Sequence, residues 1–144
     1  MRRSCISTAE RSALDSVLRD TAHVRLVEVR AARRRDVVVD LTPPGERDRL
    51  REAMAVRSWP GMECSCMGDV RFELLDARRE RLAVVLLHHG ITLAWGDWDS
   101  HGVLADGGAL LRWLHEHGMP VPGLRTRKTD ARNWREVADS LLNA

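Results

Sequence analysis

The chain has 144 residues and a nearly balanced charge, with 23 Lys and Arg against 21 Asp and Glu. Its hydrophobic fraction of 44% is too high for a disordered chain, and its length predicts a single domain over residues 1–144. It has no apolar run of the about 18 residues that a membrane span needs, and its first residues lack the apolar stretch of a secretory signal. We therefore expect a cytoplasmic globular protein without membrane contact.

The first part of the chain predicts two helices and two strands. The capping-box pattern STAE predicts a first helix from about Thr8 to Arg19. The segments HVRLVEVR and RDVVVDLT are rich in β-branched residues and predict a pair of strands. Thr42 before two prolines predicts the start of a second helix, which should end near Trp59.

A three-strand meander is predicted next, from the segments DVRFELLD, RLAVVLLH and ITLAW. His89 and Gly90 are typical of a two-residue hairpin turn. Pairing Phe72 with Val85 collects the apolar residues of both strands on one face. Because a one-residue slip would reverse every side chain, this match supports the register, and Phe72 should be buried opposite Val85.

Two more helices are predicted after the meander. Asp106 can cap a helix that ends at Gly118, and Asp130 can cap a last helix. The order of these elements predicts an α+β fold. An antiparallel sheet of about five strands, with a C-terminal three-strand meander, should pack with four helices.

Two of the three cysteines, Cys64 and Cys66, lie one residue apart. In the predicted register they share a face with Phe72, and the His89 turn reaches over the same region. Thiolates and imidazole are good ligands for zinc or copper, so we predict Cys64, Cys66 and His89 as metal ligands. The alternative is that both cysteines are small buried residues that only pack.

Four further residues are predicted to contribute to binding: Asp69, His88, Trp95 and Trp98. The same register sets Gly68 across from His89. It also sets His88 opposite Asp69 on the face away from the cysteines, where the two would form a polar pair.

Charge patterns give less support to other ligands. Asp97, Asp99 and His101 alternate as at the start of a calcium loop, but Gly108 stands where the loop needs glutamate. The basic residues at Arg30, Arg33–Arg35 and Arg125–Lys128 have no interleaved aromatic residues, which argues against a nucleic-acid partner. A protein partner or self-association stays open.

The segment from Cys64 to Gly118 resembles a group of short bacterial proteins that share Cys-x-Cys-x-Gly-Asp, His-His-Gly, two tryptophans and a Trp-Leu helix. That group often has arginine at the position of Ala94. The resemblance implies no activity. It implies only that these positions belong to one motif.

We therefore expect a small binding protein whose working surface is the cysteine and histidine end of the sheet, with a soft metal as the candidate ligand. A partner-binding module, such as an inhibitor, an immunity-like protein or a scaffold, is the alternative, with cysteines that only pack. A thiol-dependent enzyme is the third hypothesis. No motif of a known cysteine-enzyme class surrounds Cys66.

Overall fold

The structure, a computed structural model of the chain, describes residues 8–29, 35–59, 68–96 and 101–119, with side chains from residue 13 onward. Seven strands form one sheet: β1 (His23–Glu28), β2 (Asp36–Asp40), β3 (Val56–Ser58), β4 (Val70–Leu75), β5 (Arg81–His88), β6 (Thr92–Trp95) and β7 (Gly102–Leu104). The described helices are α1 (Thr8–Asp20), α2 (Glu46–Ala53) and α3 (Gly107–Glu116).

The sheet has the order β2-β1-β4-β5-β6-β7-β3, and all neighbouring strands are antiparallel. Four strands from β4 to β7 follow one another along the chain as a meander. β1 and β2 extend the sheet on one side of it. β3 comes earlier in the chain and closes the other side by pairing with β7.

The prediction of about five strands packed with four helices is wrong. The described residues form seven strands and three helices. β3 and β7 were not predicted because each has only three residues, too few to show an alternating pattern, and they pair with each other across a long sequence separation. The helix predicted after Asp130 lies outside the described residues.

The predicted register of the meander is confirmed. Phe72 pairs with Val85, and both side chains are completely buried. Within the two strands the register shifts where the hairpin closes, between Leu74 and Leu75, so that Leu75 pairs with Arg81. The exclusion of Phe72 and Val85 from water explains why the register is well specified over the rest of the hairpin.

The core lies between the three helices and the face of the sheet that carries Phe72. Leu18 of α1, Leu50 of α2 and Leu114 of α3 are each at most 1% exposed and belong to the same cluster. The ring of Trp113 lies 6.4 Å from that of Phe72, centroid to centroid. None of the helices in the described ranges is long and apolar enough to cross a membrane.

The start of the second helix differs from the prediction. α2 begins at Glu46 after Gly45, which has a left-handed backbone with φ of 84°. Thr42 does not cap it because its N–H and hydroxyl both donate to the carboxylate of Asp40, at 2.9 and 2.7 Å. The third helix is as predicted, since the Asp106 side chain accepts from the N–H of Ala109.

Candidate functional site

The candidate site lies at one end of the sheet, where three chain connections meet. β4 begins here after Gly68 and Asp69, β5 turns into β6 through His89, and β7 begins after His101. We refer to Gly68, Asp69, His88, His89 and His101 as the histidine end.

The turn from β5 to β6 has the backbone that the sequence predicts. His89 and Gly90 both have positive φ, 55° and 69°, and the N–H of Ile91 donates to the carbonyl of His88 at 3.1 Å. The strand ladder resumes with His88 paired to Thr92, so the connection is one residue longer than predicted. A left-handed backbone is unfavourable for a residue with a Cβ, so the conformation of His89 needs support from its surroundings.

Asp69 supplies that support. Its carboxylate accepts a hydrogen bond from the N–H of His89, with 2.6 Å between the two heavy atoms. Asp69 is itself fixed, because its N–H donates to the carbonyl of Leu87 at 2.7 Å and its carbonyl accepts from the N–H of Val29 at 3.0 Å. A carboxylate that accepts from a backbone N–H makes one of the stronger hydrogen bonds in proteins. The carboxylate of Asp69 therefore stabilises a turn in which His89 has an unfavourable left-handed backbone.

Gly68 lies beside the ring of His88, whereas the predicted register set it across from His89. Val70 pairs with Leu87, and the N–H of Asp69 bonds to the carbonyl of the same Leu87, so the ladder slips by one residue here. Gly68 has φ of 85°, and a Cβ on it would lie 3.6 Å from Nε2 of His88. A side chain at this position would therefore be strained, and it would contact the imidazole and lie 3.3 Å from the carbonyl of Leu87.

His88 and His101 bring two imidazole rings together. Their ring centroids are 4.5 Å apart, and the planes are tilted by 41°. His88 is only 2% exposed, whereas His101 is half-buried. The pair joins the end of β5 to the start of β7, and it gives the histidine end two nitrogen-bearing rings at the boundary between interior and solvent.

The other predicted binding residues are in different places. Trp95 pairs with Val85 at the far end of β6 and packs against the core, so the structure does not bring it to the histidine end. Cys64, Cys66 and Trp98 lie outside the described residues. Within the described ranges, no three side chains of His, Cys, Asp or Glu are close enough to hold a metal ion.

Sequence reasoning missed the contribution of His101. It assigned this residue to a loop with a weak calcium pattern, because the three-residue strand β7 that follows gives no recognisable signal. The short apolar pair Val103 and Leu104 after Gly102 is the only local sign of a strand.

A separate pocket of about 360 Å³ lies between α1, α2 and β3. It is lined by Leu14, Asp15, Arg51, Glu52, Met54, Ala55, Val56 and Trp59. Its size is at the lower end of the range for small-molecule sites. None of its lining residues belongs to the histidine end.

No protein-family model matches the chain, and neither a curated protein nor a solved structure is significantly similar to it. The functional inference therefore rests on the geometry of the described residues.

Proposed function

We propose that the chain is a small binding protein whose binding surface is the histidine end of the sheet, and that its ligand is a soft or borderline metal ion, zinc or copper. The observation that carries the proposal is the contact between the imidazoles of His88 and His101, 4.5 Å apart at the end of two strands. Neutral imidazole is the commonest metal ligand among side chains.

The framework around the pair supports this function. Metal ligands bind best when neighbouring groups hold their rings in place. His88 is held in the sheet by its pairing with Thr92, and the following turn is held by the carboxylate of Asp69. Such rigid surroundings reduce the conformational entropy that the binding side chains lose when a ligand binds.

Thiolates would complete a ligand set that two imidazoles begin. Cys66 precedes Gly68 by two residues. Together with Cys64 it is the sequence-based candidate for the remaining ligands, because structural zinc sites usually have four.

Metal analysis and titration test the proposal. Elemental analysis of the purified protein should find zinc or copper. After removal of the metal by a chelator, titration with zinc(II), or with copper(I) under anaerobic conditions, should restore a stoichiometric complex. The variant His101→Ala should bind the same metal at least about tenfold more weakly, as loss of supporting residues alone already costs that much.

His23→Ala is the matched control. His23 also lies on the sheet, but it pairs with Leu75 at the opposite end of β4. Its replacement should leave metal affinity unchanged. A wild-type protein that binds neither metal after reconstitution, or equal affinities for the two variants with unchanged circular dichroism, would rule out the histidine end as a metal site.

A further inference from the structure

The outer edge of β2 carries a second inference, which does not depend on the proposed metal site. β2 is an end strand of the sheet and pairs with β1 on its inner side only. No strand of the described ranges pairs with its outer side. Open strand edges present backbone donors and acceptors that another extended chain can use.

The hydrogen bonds between β1 and β2 define which residues face outward. The N–H of Glu28 donates to the carbonyl of Arg35 at 3.0 Å, and the N–H of Leu41 donates to the carbonyl of Ala22 at 2.9 Å. In an antiparallel ladder every second residue bonds to the same neighbour. The odd-numbered residues of β2 therefore bond to β1, and Asp36, Val38 and Asp40 direct their N–H and carbonyl groups outward.

The side chains of the same three residues form an acidic, apolar, acidic row. They lie on the face opposite to buried Val39, and Val38 is 47% exposed. Asp36 and Asp40 are also exposed. In an added strand, the residue directly across from each would have its Cβ only about 5 Å away. The row thus specifies which side chains an added strand should carry.

Both carboxylates are charged at neutral pH. Hydrogen bonds from Arg25 lower the pKa of Asp36, and hydrogen bonds from Thr42 lower the pKa of Asp40. Arg25 offsets part of the charge on Asp36. The carboxylate of Asp40 has only the neutral donors of Thr42 among its hydrogen bonds in the described residues, so it is the stronger determinant of partner charge.

We propose that the outer edge of β2 binds an extended segment of a partner protein with basic residues opposite Asp36 and Asp40 and an apolar residue opposite Val38. The backbone of this segment would add an eighth strand to the sheet. Main-chain hydrogen bonds would supply affinity, and the alternating side chains would supply specificity.

A second copy of the chain is a poorer occupant of this edge. The segment Asp36–Asp40 reads DVVVD in both directions. A two-fold antiparallel pairing would therefore set Val38 against its copy and each Asp36 against an Asp40. Like charges directly opposite one another destabilise a strand pair, and here they would occur twice. A basic strand replaces both repulsions with attractions.

A capped peptide, Thr-Lys-Thr-Val-Thr-Lys-Thr, is a direct probe because its pattern is the same in both chain directions. In a titration followed by NMR, the amides of Asp36, Val38 and Asp40 should shift most. The peptide with glutamate at both lysine positions should bind at least tenfold more weakly. Asp40→Lys should abolish this preference, because each peptide then meets one attraction and one repulsion along the edge.

Val38→Pro tests the role of the backbone. Proline removes the outward N–H of residue 38 without removing a hydrogen bond to β1. The substitution should therefore weaken binding of the lysine peptide at least tenfold. Leu82→Ala is the control, because among the described residues Leu82 is the other exposed large apolar side chain, and it lies on β5. Equal binding of both peptides, or shifts away from β2, would overturn the proposal. So would a wild-type dimer that Val38→Pro dissociates, since a second copy would then occupy the edge.

Discussion

The two edge strands of the sheet differ in regularity. β2 has five residues in unbroken register with β1. β3 has three residues, and its register with β7 shifts between Val56 and Ser58. Short and irregular edges discourage pairing with other chains, whereas a long regular edge allows it. We call the short, irregular edge at β3 the closed edge and the regular edge at β2 the open edge.

The closed edge depends on a glycine in the neighbouring strand. A Cβ on Gly102 of β7 would lie 2.7 and 2.8 Å from the two Cγ atoms of Val56 and 2.9 Å from Cζ3 of Trp59. These distances are shorter than van der Waals contact. The side chains of β3 and of the residue after it therefore occupy the space that any larger residue at position 102 would need.

Of the substitutions that test this comparison, Gly102→Ala should have the largest effect on the free energy of unfolding. The added methyl group forces Val56 or Trp59 to move, and overpacking of this kind typically costs about 1–3 kcal/mol of unfolding free energy. Gly96→Ala is the control, because nothing lies within 4 Å of a Cβ built on Gly96. Its unfolding free energy should stay within about 0.5 kcal/mol of the wild type. Urea unfolding measures both, and equal stabilities would show that β3 is not packed as described.

Sequence reasoning found the open edge and missed the closed one for a physical reason. β2 is predicted because three consecutive β-branched residues, Val37 to Val39, lie in its five-residue span. β3 has three residues in the segment where the second helix was expected to continue, and its pairing partner lies more than 40 residues later. Pairings of this kind depend on tertiary packing rather than on a local pattern, as do the late start of α2 at Glu46 and the capture of Thr42 by Asp40.

The candidate site was predictable only in part. The His89 turn follows from local sequence, because His-Gly between two apolar strands is typical of a hairpin. The support of that turn by the carboxylate of Asp69 depends on a one-residue slip of the ladder, and the ring contact of His88 depends on the position of β7. Neither feature leaves a periodic pattern. The placement of Cys66 beside His89 stays a prediction.

Two proline substitutions in β2 should have an intermediate effect on stability, and they test which of its residues face outward. Val37→Pro removes an N–H that points toward β1, whereas Val38→Pro removes one that points outward. A typical backbone hydrogen bond contributes about 1 kcal/mol, so Val37→Pro should be less stable than Val38→Pro by about that amount. Thermal or urea unfolding of the two variants is the measurement. If the order of stability were reversed, the assignment of outward residues on β2 would be wrong.

The smallest effect concerns the charge on the open edge. The Arg25 guanidinium donates to both carboxylate oxygens of Asp36, and this contact lowers the pKa of Asp36 below its ordinary value of 3.8. A carboxyl group with a lowered pKa stabilises the fold fully above its unfolded pKa, and this stabilisation is lost as the pH falls through the folded value. Because the pair is exposed, its contribution to stability is small.

Replacing Arg25 isolates this contribution. In Arg25→Gln the pKa of Asp36 should rise toward 3.8, so that Asp36 loses its charge earlier as the pH falls. Asp40 is an internal control on the same strand, because hydrogen bonds from Thr42 rather than from Arg25 lower its pKa. An NMR titration of the side-chain carboxyl carbons from pH 6 to pH 2 follows both groups together. If Asp36 titrated identically in the two proteins, Arg25 would not control its charge. If the pKa of Asp40 changed as well, the substitution would have altered the strand as a whole.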